Sequence, residues 1–157
     1  SIATFYFPCY TSAEVIQMTK KSTNELMDAL NSSKSIEHYI QSEKEYLIES
    51  PLCDYLNQLA DEKELKKSQI IHDAELNEIY GYQIFSGKRF PSRDKLISLA
   101  FGMHLSLTET QSLLKYAGFS PLYPKNERDS VLIWCLNNNY SIFQTNNALF
   151  DHSQNTL

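Results

Sequence analysis

Short apolar runs with helical spacing, each bounded by capping residues, constrain this chain more than any other feature. From residue 52 onward one apolar set repeats at i, i+3, i+4 and i+7, which is the spacing of one helix face. It consists of Leu52, Tyr55, Leu56 and Leu59. Three Ser-x-x-Glu sequences, starting at Ser22, Ser42 and Ser106, have the spacing of capping boxes that open helices. Because no segment shows the alternation of a strand, we expect an all-α fold.

Length and composition narrow the class of molecule. The chain has 157 residues, enough for a domain with its own core, and it is 42% hydrophobic and 21% charged. No stretch approaches the roughly 18 apolar residues of a membrane span, and residues 2–10 lack the basic start and cleavage site of a signal peptide. The odd number of dispersed cysteines (Cys9, Cys53 and Cys135) fits neither a disulfide framework nor a zinc site. We therefore expect a cytoplasmic protein that does not contact a membrane.

Side chains that commonly carry catalysis or hold metals are scattered along the sequence. The four histidines are His38, His72, His104 and His152. None has a partner at metal-ligand spacing, and the sequence has no phosphate-binding glycine loop, no ordered nucleophile and base, and no apolar carboxylate pair. Cys135 is assigned to core packing, whereas Cys53 lies near a helix start, where a thiolate is favoured but a redox role is not expected. We expect no catalytic residue, metal or cofactor, and no enzyme.

The chain divides into four predicted segments. They are an N-terminal arm (1–21), an acidic helical appendage (22–49), a central helical domain (50–118) and a helical C-terminal extension packed on the same globule (119–157). The arm shows no periodicity and is either disordered or docked on a partner. In the appendage, the helix that follows Ser35 is expected to turn Ile36, Tyr39 and Ile40 inward.

Positive charge is concentrated in one part of the chain. The net charge is −5, but seven of the 14 Lys and Arg residues fall within residues 63–95. Residues 1–62 are acidic by contrast, with ten Asp and Glu against four Lys. A basic window in an acidic chain is either an ordinary solvated surface or a local anion-binding surface. Further along, we expect Arg128 and Asp129 to form a structural ion pair.

Two short helices joined by a tight turn are predicted inside the basic window. They span residues 68–74 and 77–85, and Glu75-Leu76 forms the turn between them. This spacing is typical of a helix-turn-helix, in which the second helix enters the DNA major groove and the first lies across the phosphates. Many helical cores contain such a pair, so the spacing alone leaves the function open.

A more specific pattern follows the second helix. It is Gly87-Lys88-Arg89-Phe90-Pro91-Ser92, followed by the apolar face of Leu96, Leu99 and Ala100. Together with the rest of residues 65–109, this pattern resembles the repressor-type helix-turn-helix domain of the Cro/C1 (XRE) family. Residues 113–129 are similar to a bacterial subfamily that extends the domain with further helices. The resemblance implies a five-helix lambda-repressor-like domain over residues 50–118, with additional helices at both ends.

The resemblance also implies a function, that of a sequence-specific DNA-binding transcriptional regulator. Such a protein acts on double-stranded DNA as a homodimer, because one domain reads only a half-site. Carried over position by position, the DNA-binding residues are Lys67, Ser68, Glu78, Ile79, Tyr82, Gln83, Lys88, Arg89 and Arg93. In this scheme Gln83 pairs with adenine, Glu78 accepts from cytosine and Ile79 meets a thymine methyl group. Lys67 reaches a phosphate or a base edge, and the three cations after the second helix hold phosphates.

The sequence departs from the family pattern at Gly81, where the family places an aliphatic core residue. We expect Tyr80 or Tyr82 to fold inward and replace the missing side chain. Glu78 and the acidic flanks oppose phosphate, so non-specific binding should be weak and salt-sensitive. An alternative function is a protein-binding adaptor or inhibitor that uses the fold as a scaffold. Its acidic N-terminal helices would then dock on a partner such as a kinase or a nuclease.

Overall fold

The computed structural model describes residues 21–47 and 50–157, and within these ranges the chain forms nine α-helices, one 3-10 helix and no strand. The predicted all-α class is confirmed. The chain divides into two compact units, Ser1–Glu49 and Ser50–Leu157. The predicted arm over residues 1–21 lies outside the described residues, except for Lys21.

The described part of the first unit consists of two short helices and a single 3-10 turn. They are α1 (Thr23–Ser32), α2 (Ile36–Ser42) and the 3-10 helix Lys44–Tyr46. The capping box predicted at Ser22 is present, since Ser22 Oγ accepts from the Glu25 N–H and Glu25 Oε2 accepts from the Ser22 N–H. Ser35 opens α2 by accepting from the His38 N–H.

Two predictions for this unit are wrong. Ser42 does not open a helix: it is the last residue of α2, and its hydroxyl donates to the Tyr39 carbonyl within that helix. Of the residues expected to point inward, Tyr39 is buried, but Ile36 and Ile40 are 54% and 50% exposed. A helix of two turns can bury few side chains against its neighbours, and in α2 the buried side chain is Tyr39.

Residues 50–157 form seven helices. They are α3 (Leu52–Glu62), α4 (Lys67–Asp73), α5 (Glu78–Phe85), α6 (Arg93–Gly102), α7 (Leu107–Tyr116), α8 (Glu127–Asn137) and α9 (Ile142–Asp151). Side-chain caps that accept from the backbone N–H three residues further on open five of them. These caps are Asn77, Ser92, Ser106, Asn126 and Ser141. The cap predicted at Ser50 is one residue early, because Pro51 is the N-cap and the Ser50 carbonyl accepts from the Tyr116 hydroxyl.

One hydrophobic core includes side chains from all seven helices, and α6 lies at its centre. Every α6 residue from Leu96 to Gly102 is buried, and α6 packs against α4, α7 and α9. Leu132 of α8 and Leu149 of α9 belong to the same buried cluster as the earlier helices. Cys135 is fully buried in this cluster, in agreement with its assignment to core packing, and burial raises the pKa of its thiol. Residues 119–157 therefore share the core of the helices before them.

Two reciprocal ion pairs join the first turns of α6 and α8. Arg93 donates to both carboxylate oxygens of Asp129, at 3.1 and 2.9 Å. Arg128 donates to both carboxylate oxygens of Asp94, at 2.8 and 3.0 Å. The predicted pairing of Arg128 with Asp129 is therefore wrong. Consecutive residues of a helix point about 100° apart, so these two neighbours on α8 reach different partners on α6.

Candidate nucleic-acid interface

The helices α4 and α5 are joined by a connection whose conformation is set locally. Glu75 has a φ of 52°, in the left-handed region, and reverses the chain after α4. The Leu76 N–H then donates to the Ile71 carbonyl at 3.1 Å and closes the turn. Asn77 opens α5 by accepting from the Tyr80 N–H at 3.1 Å. The start of α5 thus lies at the residue that the sequence predicts.

A close contact between Ile71 of α4 and Gly81 of α5 sets the distance between the two helices. Both residues are buried, and a Cβ on Gly81 would lie 2.7 Å from two carbons of the Ile71 side chain. The space beside Gly81 is filled by Ile71, whereas Tyr80, one of the two residues expected to fold inward there, is half-buried and packs against the core. Tyr82 is 41% exposed. Glycine therefore lets α5 lie closer to α4 than a larger residue would allow.

An open groove of about 540 Å³ runs along α5, beside the start of α4. Its lining residues are Lys67, Glu78, Ile79, Tyr82, Gln83, Phe85, Ser86 and Lys88. Six of the nine predicted DNA-binding residues are among them. The sequence analysis does not predict Phe85 and Ser86 as part of this surface. Their spacing could have indicated them, because Phe85 lies seven residues after Glu78 and Ser86 lies four residues after Tyr82, so each shares a helix side with a predicted residue.

The groove combines apolar and hydrogen-bonding side chains along one helix. Ile79 is 70% exposed, an apolar group that the core leaves in solvent. Glu78 beside it is exposed, and Gln83 is half-buried. An aliphatic group, a carboxylate and an amide in one row match the methyl groups, donors and acceptors of base edges.

Three cations flank the groove. Gly87 ends α5 with a φ of 81°, and Lys88 and Arg89 follow it directly, both of them exposed. Lys67 also lines the groove, and its Nζ lies 5.8 Å from the centroid of the Phe85 ring, within the range of a cation–π contact. None of the three cations forms an ion pair with a residue in the described ranges. Their charge is therefore available to an anion.

Arg93, which the sequence assigns to phosphate binding, uses its guanidinium group within the protein. Besides its pair with Asp129, the Arg93 guanidinium donates to the carbonyls of Ser120 at 3.0 Å and Pro121 at 3.2 Å. It thereby fastens the loop before α8 to the start of α6. Ser68 is exposed in the first turn of α4, outside the groove lining. Of the four cations that the sequence assigns to DNA, the structure leaves three for that role.

Asp73, at the end of α4, gathers two histidines outside the groove. Its carboxylate oxygens lie 3.2 Å from His72 Nδ1 and 3.4 Å from His104 Nε2, and Gln69 donates to it at 2.7 Å. Burial opposes ionisation of Asp73, but the hydrogen bonds outweigh burial and lower its pKa. Within the described part of the chain, no set of three His, Cys, Asp or Glu side chains is arranged to hold a metal ion. The cluster links the ends of α4 and α6.

Comparisons with protein-family models, with curated proteins and with solved structures give no match to the chain. The resemblance to the Cro/C1 family therefore depends on the motif residues alone. Within residues 21–47 and 50–157, no helix has the length and apolar character needed to cross a membrane.

Proposed function

We propose that the chain is a sequence-specific DNA-binding transcriptional regulator, in which α4 and α5 act as a helix-turn-helix and α5 enters the major groove. It would act on double-stranded DNA as a homodimer, because one such domain reads only a half-site. The observation that carries the proposal is the groove along α5, which gathers six side chains that the sequence assigns to DNA. The major groove, about 12 Å wide, admits a helix of this size.

Base readout would come from the exposed face of α5. Gln83 can donate to and accept from adenine, Glu78 can accept from the cytosine amine, and Ile79 can contact the thymine methyl group. Each good base contact contributes about 1–3 kcal/mol of discrimination against the wrong base. Because the three groups differ in chemistry, they would supply sequence preference rather than general affinity.

Phosphate contacts would come from the three cations at the groove. Lys67 lies at the start of α4, while Lys88 and Arg89 follow the end of α5. The exposed carboxylate of Glu78 and the net charge of −5 oppose phosphate. We therefore expect non-specific binding to be weak and to fall as salt is added. Arg93 is left out of this set, because its donors are used within the protein.

Fluorescence anisotropy with duplexes selected from a random pool tests the proposal. Lys88→Ala/Arg89→Ala should weaken binding to every duplex and reduce the slope of log K against log salt by about 2 for each bound copy, or about 4 for a homodimer, because each phosphate contact contributes about 0.9. The matched control is Lys34→Ala/Lys115→Ala, which removes the same charge from two exposed lysines outside the groove. The control should leave the slope close to that of the wild type.

A second variant separates base readout from phosphate contact. Gln83→Ala should alter the preferred base at one position and leave the salt slope unchanged. The proposal is refuted if the wild-type chain selects no duplex even at low salt. It is also refuted if Lys88→Ala/Arg89→Ala binds as tightly as the wild type.

A protein-binding adaptor or inhibitor is the second candidate function, and the first unit favours it. The short helices α1 and α2 expose Met27 by 51%, Ile36 by 54% and Ile40 by 50%, beside acidic residues such as Glu37. Exposed apolar groups in an acidic setting suit a basic partner protein, for example a kinase or a nuclease. An electrophoretic shift experiment discriminates the two functions, because an adaptor gives no DNA shift at low or at moderate salt.

A further inference from the structure

A side chain of α3 supports the end of α5 from outside the groove. Asn57 is half-buried, and its Nδ2 donates to the Phe85 carbonyl oxygen at 2.9 Å and to the Cys53 carbonyl oxygen at 2.8 Å. Phe85 is the last residue of α5 and lies 28 positions further along the chain than Asn57. A single amide nitrogen, which carries two hydrogens, therefore joins the main chains of α3 and α5.

The Phe85 carbonyl has its partner in this amide. The last carbonyls of a helix have no partner within the helix, and in the described part of the chain no main-chain N–H donates to this one. Both carbonyls that the amide reaches are acceptors, so only its nitrogen can face them. The Asn57 Oδ1 atom is buried and has no hydrogen-bond partner among the described residues. Donation by the nitrogen is therefore what fixes the orientation of the amide.

A second contact from α3 lies two residues further along, at the glycine that ends α5. A Cβ on Gly87 would lie 3.0 Å from Cys53 Sγ, so the Cys53 side chain packs directly against the backbone there. The Arg89 N–H donates to the Gln83 carbonyl at 3.1 Å and folds the chain back on the last turn of α5. The segment that carries Lys88 and Arg89 is therefore held both by α5 and by the first turns of α3.

We propose that Asn57 is a positioning residue for DNA binding. By holding the Phe85 carbonyl, it fixes the direction in which the chain leaves α5, and with it the places at which Lys88 and Arg89 meet phosphates. The inference rests on the proposed function, in which these two cations contact phosphates while α5 reads bases. Asn57 is outside the groove lining and makes no contact with DNA in this scheme. Its effect on binding therefore passes through the two cations.

Removal of the amide tests the proposal, by fluorescence anisotropy with the duplex that the wild type selects. Asn57→Ala removes both hydrogen bonds. Asn57→Ser is milder, because a serine hydroxyl in a helix can donate to the carbonyl four residues back, which keeps the bond to Cys53 and loses the bond to Phe85. Each variant should lose at least one phosphate contact per bound copy, which lowers the salt slope by about 0.9 and the affinity in roughly 0.1 M salt by about eightfold. The preferred bases should stay the same.

Gln111→Ala is the matched control. Gln111 is a half-buried amide of α7 whose Nε2 donates to the Leu122 carbonyl at 2.8 Å and whose Oε1 accepts from the Leu122 N–H at 2.7 Å. Its removal also costs two hydrogen bonds to the main chain, but away from the groove. The control should keep the salt slope of the wild type. A control that loses as much slope as the Asn57 variants overturns the proposal, because the effect would then be one of general destabilisation.

A combined variant shows whether Asn57 acts through the cations. In the Lys88→Ala/Arg89→Ala background both phosphate contacts are already absent, so adding Asn57→Ser should change the salt slope no further. An equal reduction with and without the two cations overturns the proposal, as does a wild-type slope in Asn57→Ser. A wild type that selects no duplex is a different result, because the proposed function then fails and this inference fails with it.

Hydrogen exchange without DNA measures the positioning itself. The N–H groups of Gly87 and Arg89 donate to the last turn of α5. In Asn57→Ser their exchange should be faster by about fivefold or more, as expected for the loss of one hydrogen bond that holds the segment. Gln111→Ala should leave their exchange rates unchanged. Unchanged rates in Asn57→Ser overturn the proposal whatever the chain binds.

Discussion

Two buried glycines allow a direct test of how closely the neighbours of α4 are packed. A Cβ on Gly102 of α6 would lie 2.5 Å from the Ile70 carbonyl oxygen and 2.9 Å from the Ala74 backbone nitrogen. A Cβ on Gly81 of α5 would have three atoms of the Ile71 side chain as its nearest neighbours, at 2.7 to 2.9 Å. Substitution by alanine adds the same methyl group at both positions. What differs is whether backbone or side chain has to move.

The expected magnitudes follow from these contacts. In a helix interior, alanine is favoured over glycine by about 1 kcal/mol. This gain applies at Gly81, in the middle of α5, and is smaller at Gly102, the last residue of α6. At Gly81 the side chain of Ile71 has to shift, and overpacking of this kind costs about 1–3 kcal/mol, which leaves a net loss of about 1 kcal/mol. At Gly102 the contact with the Ile70 carbonyl has to lengthen by about 0.8 Å to reach an ordinary carbon–oxygen distance. That shift separates α4 from α6, so we expect a net loss of about 3 kcal/mol.

Urea unfolding followed by circular dichroism measures both losses. Gly102→Ala should lower the free energy of unfolding by at least about 1 kcal/mol more than Gly81→Ala does. In the double variant Ile71→Ala/Gly81→Ala, the new methyl group enters the space that Ile71 vacates. The double variant should therefore be more stable than the sum of the single losses predicts, by about 1 kcal/mol or more. Equal losses at the two glycines, or strict additivity in the double variant, would refute this account of the packing.

Three further substitutions test individual contacts. Asp129→Asn removes the carboxylate from the Arg93 guanidinium, where the two side chains are 10% and 25% exposed, and should lower the free energy of unfolding by about 2 kcal/mol in urea. A changed salt slope of DNA binding in that variant would contradict a purely structural role for Arg93. Glu109→Gln removes the ion pair with Lys63, which measures 3.0 Å. Burial opposes ionisation of Glu109, but hydrogen bonds from Lys63 and the N-cap serine outweigh it and lower the pKa. The free energy of unfolding of the wild type should exceed that of the variant by less than about 1 kcal/mol, because the site is partly exposed. This difference should be present above the ordinary glutamate pKa of 4.5 and should vanish as pH falls through the lower pKa that Glu109 has in the folded chain. Thermal unfolding across pH checks this, and an advantage that grows in acid would contradict it. Glu64 has a φ of 54° at an exposed position, a conformation that glycine adopts without strain. Glu64→Gly should therefore raise the free energy of unfolding by about 0.5–1 kcal/mol, measured as a higher urea midpoint. A lower midpoint would contradict this and would show that the Glu64 side chain makes a stabilising contact.

Helix starts and stops are the part of this fold that the sequence predicts best, because the necessary information is local. Asn77 and Ser106 each accept from an N–H three residues further on, so four consecutive residues decide the cap. Gly87 and Gly118 both adopt a φ of 81° just after helices that were expected to end there. Ser42 shows the limit of such patterns. It has the spacing of a cap, but α2 continues through it, and its hydroxyl is used inside that helix.

The candidate site was predictable where it depends on position along one helix, and not where it depends on distant partners. Ile79 and Gln83 lie on the same exposed side of α5 because of their spacing alone. The role of Arg93 depends on Asp129, which is 36 residues away and is brought near only by the packing of α8 on α6. The filling of the space beside Gly81 by the Ile71 side chain likewise depends on the distance between α4 and α5, which no local sequence pattern predicts.

The pairing of Arg93 with Asp129 changes which contacts would hold the protein on DNA under the proposed function. Under the proposed function, phosphate contacts from Lys67, Lys88 and Arg89 would give a salt slope of about −2.7 for each bound copy, whereas a fourth contact from Arg93 would give about −3.6. So small a number of contacts, opposed by Glu78, supplies little affinity for DNA of arbitrary sequence. Affinity for an operator would then have to come mainly from base contacts along α5, and from two copies binding together, because each copy contributes its own base contacts and phosphate contacts.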